Sequence, residues 1–228
     1  MTDLENIGKQ ITKYSSELPE GVKLVAVSKF HPVEALRAAY DAGQRIFGES
    51  RVQEIQQKHR DMPEDVEWHF IGHLQTNKVR ALVPYVSLIH SIDSLRLLAC
   101  VDSEARRIDR TVNVLLQLHV AQEETKFGLT PDECIALAES GAIAKLPNVR
   151  ICGVMGMATN TDDENEIRKE FRLIKSTFVA LKDWFFADAE YFKEISMGMS
   201  DDYPIAIRHG STLIRVGSRI FGERMYKK

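Results

Sequence analysis

Short apolar runs recur along this chain at a fairly even interval, each followed by a segment with helical periodicity. The runs are LVAVS (24–28), RIFGE (45–49), WHFIG (68–72), SLIHS (87–91), VNVLLQLHV (112–120), RICGVMGM (150–157), KEISMGM (193–199) and LIRVG (213–217). The first is apolar without a break through Val27, as a strand buried on both faces is; a strand with one wet face would alternate. Strands alternating with helices imply parallel strands joined by right-handed crossovers. About eight such units in 228 residues suit a closed (β/α)₈ TIM barrel, an α/β fold, better than an open sheet. An open doubly wound sheet is the alternative, but it would usually carry a glycine-rich phosphate turn after its first strand. Here that turn reads SKFHP.

The intervening segments carry their own signals. Ile167, Phe171, Ile174, Phe178 and Leu181 fall on one helical stripe at three- and four-residue spacing. Thr130 with Pro131, Asp132 and Glu133 has the capping-box pattern, and Thr161 with Glu164 repeats it. Residues 3–17 read as one extra helix ahead of the first strand. No Pro/Gly/Ser-rich linker divides the chain, so residues 1–228 are expected to form a single domain, with a helix over 1–18 packed on the barrel.

A composition of 44% hydrophobic and 28% charged residues supplies one large core. The net charge of -3, with bases interspersed among acids, argues against a nucleic-acid surface. No apolar stretch approaches the roughly 20 residues of a membrane span. The opening MTDLENIGKQ has no apolar signal region, and Cys100, Cys134 and Cys152 share no metal or redox spacing. The expectation is a cytoplasmic protein with reduced thiols. No long apolar helix face demands a partner, so a monomer is expected.

In a barrel, function belongs at the C-terminal ends of the strands. Lys29 ends the first strand there. A lysine at a strand end commonly snorkels to solvent, but at a barrel mouth it can also serve as a Schiff-base nucleophile. The last strand carries Arg215, and Gly217 and Ser218 open the final helix, a pattern that suits an anion. Strand seven ends in SMGMSDDYP, which brings Ser196, Gly198 and Ser200 to the same corner, although Ser200 also reads as a plain helix cap. Closing the barrel makes the first and eighth strands neighbours. A ligand with an aldehyde, a phosphate and a ring acceptor would satisfy the lysine, the anion corner and the arginine together, and pyridoxal phosphate has that set.

The stretches VAVSKFHP, IFGESRVQE, WHFIGHLQTNK, SMGMSDD and RVGSRIFG, in order from about Lys23 to Gly222, resemble the pyridoxal phosphate homeostasis proteins. These are single-domain relatives of the alanine racemase barrel. The resemblance implies that pyridoxal 5'-phosphate is held as an aldimine on Lys29, with Arg215 at the pyridine nitrogen and Gly217, Ser218 and Ser200 at the phosphate. Ser196 and Met197 complete the expected cofactor set. Ser50 departs from the family, which usually has asparagine there.

An arginine at the pyridine nitrogen cannot protonate the ring as a carboxylic acid can, so the ring is a weak electron sink. In the alanine racemases a second base comes from a further domain, and this sequence ends at Lys228, just after the eighth unit. The expectation is therefore an intracellular cofactor carrier without strong catalysis and with no catalytic residues to assign. Transient contact with apo-enzymes that need the cofactor is the partnership this implies. A weak amino-acid racemase using Lys29 as a base is the alternative.

His69 and His73 have a spacing seen in zinc sites, but on a strand and its exit rather than a helix, and no metal site is expected. His90 and His119 read as hydrogen-bonded rim residues. Met155, Met157, Met197 and Met199 read as adaptable packing near the cofactor. Lys126, in the loop after strand five, is a candidate for assisting cofactor release.

Overall fold

The computed structural model describes residues 4–123 and 127–222. Eight parallel strands close into a barrel in chain order: β1 (Lys23–Val27), β2 (Ile46–Glu49), β3 (Glu67–Phe70), β4 (Leu88–Ile92), β5 (Val112–Leu118), β6 (Val149–Gly156), β7 (Glu194–Ser196) and β8 (Leu213–Val216). Closure pairs β1 with β8 and sets Val25 opposite Arg215. This is the expected (β/α)₈ barrel, and each strand falls inside or within one residue of an apolar run.

Helices follow the strands as crossovers: α2 (Val33–Asp41), α3 (Val52–Asp61), α4 (Thr76–Leu82), α5 (Leu95–Arg106), α6 (Pro131–Glu139), α7 (Glu164–Phe185), α8 (Tyr203–Arg208) and α9 (Ser218–Phe221). The extra N-terminal helix, α1 (Leu4–Glu17), buries Ile7, Ile11 and Tyr14 against α2 and α9. On α7 the stripe of Ile167, Phe171, Ile174, Phe178 and Leu181 is buried throughout.

Two of the expected boundaries differ. The capping box at Thr130 and Glu133 forms with both of its bonds. The one at Thr161 does not: Asp163 caps α7 by accepting from the Asn165 N–H, and the Thr161 hydroxyl instead accepts from the Asp163 N–H. An aspartate one residue before the helix outcompetes the threonine two residues earlier. Strand seven is also shorter than its apolar run. It stops at Ser196 because Gly198 turns out of the sheet at φ +92°.

The core has two layers. Residues alternate along each strand, so one set faces the helices and the other fills the barrel. Val25, Leu88, Leu115, Cys152, Met155 and Leu213 pack together as an inner cluster, separate from the outer core. The barrel interior is not wholly apolar, since His69, His90, Ser196 and Arg215 are buried at inward positions of β3, β4, β7 and β8.

Candidate functional site

At the C-terminal mouth a cleft of about 170 Å³ is lined by Lys29, Ser200, Arg215, Gly217 and Ser218, together with Val27, His31, Ile71, Met157, Met199 and Gly222. Barrel closure thus gathers five of the expected residues from the ends of β1, β7 and β8. The turn at Gly198 swings Ser200 toward α9, where the Ser218 hydroxyl donates to Ser200 Oγ at 3.3 Å. Ser200 is not the cap of α8, a position that Asp202 holds. The first turn of α9 contributes N–H groups that no earlier turn of the helix can satisfy. Gly217 lies against β1 so closely that a Cβ there would sit 3.1 Å from the Val27 carbonyl oxygen.

Arg215 is buried and held rigidly. One guanidinium nitrogen, Nη1, donates to Ser196 Oγ at 2.6 Å, and Nη2 donates to the Gly156 carbonyl at 3.1 Å. Burial lowers its pKa to about 10, which still leaves it charged at neutral pH. Ser196 does not line the cleft. It lies below Arg215 and also bonds His90 Nδ1 at 2.9 Å.

Two further expectations change here. Met197 is fully buried in the outer core and does not line the cleft, because it alternates with the inward-facing Ser196. His90 is not a rim residue. It lies inside the barrel between Ser196 and His69, whose Nδ1 is 2.9 Å from His90 Nε2. His73 is elsewhere, 3.3 Å from Asp93 and stacked on Phe127, so it does not converge with His69. Of the methionines, Met157 and Met199 reach the cleft, while Met155 packs in the inner cluster. Ser50 follows β2 and does not line the cleft. Lys126 lies outside the described residues.

A buried charge cluster braces the loop that carries Lys29. Lys58, from α3, donates to the Ser28 carbonyl at 2.9 Å, to Glu49 Oε1 at 2.7 Å and to Glu54 Oε2 at 2.8 Å. Glu54 Oε2 also accepts the Phe30 N–H at 2.8 Å. Lys29 is thereby bracketed on both sides. Phe30 sits at φ +68°, a left-handed conformation that is costly for a bulky residue and persists only where neighbours over-determine it. Arg51 adds a contact over the Phe30 ring at 4.7 Å. Burial pushes the Glu49 carboxyl up to about 7, against the pull of Lys58.

Sequence reasoning missed His31, Ile71 and this brace. His31 stands two residues past Lys29 and stacks on Phe221, so its proximity in sequence was a usable signal. Lys58 gave none, being one charged residue of a polar helix.

Comparison with known proteins bears on this site. The family profile of the alanine racemase N-terminal domain matches residues 2–225. The pyridoxal phosphate homeostasis protein of Aquifex aeolicus is 38% identical over 208 residues, spanning 90% of this chain and 88% of that protein. That of Escherichia coli K12 is 38% identical over 217 residues, spanning 92% and 89%. The structure of PipY from Synechococcus elongatus without pyridoxal phosphate superposes with a TM-score of 0.88 at 37% identity, covering 95% of this chain and all of that one. The same protein with pyridoxal phosphate bound gives a TM-score of 0.85. Alanine racemase from E. faecalis, at 19% identity and a TM-score of 0.69, shares the fold. The chain belongs to the alanine racemase N-terminal domain family and, within it, to the pyridoxal phosphate homeostasis proteins.

Proposed function

We propose that this protein binds pyridoxal 5'-phosphate at the C-terminal mouth of the barrel and serves its homeostasis as a carrier rather than as an efficient catalyst. The observation that carries the reading is the convergence, in one cleft, of an amine, a rigid guanidinium and a hydroxyl-lined helix start. That donor set fits the group's chemistry: Lys29 for the aldehyde as an imine, Arg215 for the pyridine nitrogen, and Ser200, Gly217 and Ser218 for the phosphate. Ser196 acts through Arg215, whose Nη1 it fixes. That PipY, 37% identical, has a structure with pyridoxal phosphate bound supports the choice of ligand.

The cofactor, when bound, supplies an electron sink whose strength depends on what faces its ring nitrogen. Here that partner is a cation, and no carboxylate or tyrosine lines the cleft among the described residues. Proton abstraction from an amino acid therefore lacks both a strong sink and a tyrosine base. We place the protein in the cytoplasm as a monomer that meets apo-enzymes transiently. In heavy water the holoprotein should leave the α-hydrogen of alanine and serine in place, as followed by proton NMR. Exchange at enzymatic rates that vanishes in Lys29→Ala would overturn the carrier reading.

A further inference from the structure

The opposite, N-terminal mouth of the barrel holds a second cavity of about 260 Å³, framed by the beginnings of the strands rather than their ends. Lys23, Arg150 and Lys193 stand on its rim, with His69 and Cys152 deeper inside. We infer that this cavity is a binding site for a small oxyanion, a carboxylate- or phosphate-bearing molecule, which accepts a hydrogen bond from His69 Nε2 and is held by Lys23 and Lys193.

Arg215 can only donate, so Ser196 Oγ is an acceptor in their bond. The Ser196 hydroxyl hydrogen has one acceptor within reach among the described residues, His90 Nδ1 at 2.9 Å. Any other orientation would leave a buried hydroxyl hydrogen unsatisfied. His90 therefore carries its own hydrogen on Nε2 and donates it to His69 Nδ1 at 2.9 Å. His69, in turn, must carry its hydrogen on Nε2. Both rings are neutral: burial drives the His69 pKa down to about 3 and that of His90 well below the usual histidine range. Every bond in the chain runs the same way, from Arg215 down to His69.

The chain ends in a donor. No hydrogen bond to His69 Nε2 comes from the described residues, and His69 is 96% buried while lining the cavity. That N–H opens onto the cavity, where it can be donated to an acceptor entering from the mouth. The rim gives that acceptor its sign. Glu194 pairs with Lys23 at 3.5 Å and accepts from the Thr212 hydroxyl at 2.6 Å, while Arg150, Lys193 and Glu67 are, like Lys23, exposed at the mouth. The three cations outnumber the two carboxylates on the lining. Burial raises the Cys152 thiol to about 11, so it stays protonated and the site binds rather than reacts. The volume lies just under the ~300 Å³ at which pockets for drug-sized ligands begin, which suits a small metabolite.

The test uses full-length protein with 15N-labelled histidine and does not depend on what occupies the upper mouth. Before any addition, the ring nitrogen shifts should report Nε2–H tautomers for both His69 and His90. A hydrogen on His69 Nδ1 would reverse the chain and overturn the inference. Sodium phosphate and sodium succinate are then titrated separately against a sodium chloride control, to tell a phosphate ligand from a carboxylate one. We expect a saturable shift of His69, followed by His90, with a Kd near 1 mM or below for one of them. The double variant Lys23→Gln/Lys193→Gln, altered only at exposed positions, should weaken it at least fivefold. A flat titration, a response that chloride reproduces, or full affinity in the double variant would each overturn the site.

Discussion

At the scale of single residues, Lys58 shows how one buried ion organises the loop that carries Lys29. It shares its charge between Glu49 and Glu54 while also holding the Ser28 carbonyl. One ammonium cannot neutralise two carboxylates, and the more deeply buried of them, Glu49, keeps its proton up to about pH 7. The sign of the pH effect follows. In the unfolded chain Glu49 loses its proton near 4.3, so between that value and about 7 the folded state binds the extra proton. This contribution to stability is present in full below the lower value and is lost as pH rises through the upper one. Urea unfolding should therefore show wild type gaining stability relative to Glu49→Gln as pH falls from about 8 to about 5. A constant difference between the two proteins across that range would show that Glu49 is ionised throughout.

The elements were legible to different depths, for a physical reason. Helix faces could be read because polar and apolar residues alternate at 3.6-residue spacing, and the α7 stripe landed on the core. Phe171, fully buried on that stripe, should cost about 3–5 kcal/mol of unfolding free energy when replaced by alanine, measurable by denaturant titration. A loss below about 1 kcal/mol would mean that the helix layer repacks freely. The facing of the strand residues was much harder to see. In a parallel barrel both faces of a strand are buried, so polarity does not mark which side is inward. Ser196 and Met197 looked equivalent in SMGM, yet one reaches Arg215 and the other the outer core. The inward position of His90 is hidden for the same reason: its neighbours Ile89 and Ser91 do not reveal that it points into the barrel.

At the scale of the whole molecule, what the sequence conveys best is closure. Lys29 and Arg215 lie at opposite ends of the chain, and only the pairing of β1 with β8 sets them in one cleft. The count of strand–helix units was enough to foresee that meeting. The hydrogen-bonded path from Arg215 through Ser196 and His90 to His69 could not be foreseen, because it depends on four inward side chains from four strands. The proposal that joins the fold to its chemistry is that Lys29, two residues past the end of β1, bonds the cofactor. It is tested most directly by borohydride reduction of the protein loaded with pyridoxal phosphate, followed by peptide mapping. The expected result is a visible absorption band that reduction abolishes, with the pyridoxyl group on Lys29. A reduced adduct on another lysine, or no band after pyridoxal phosphate is added, would contradict it.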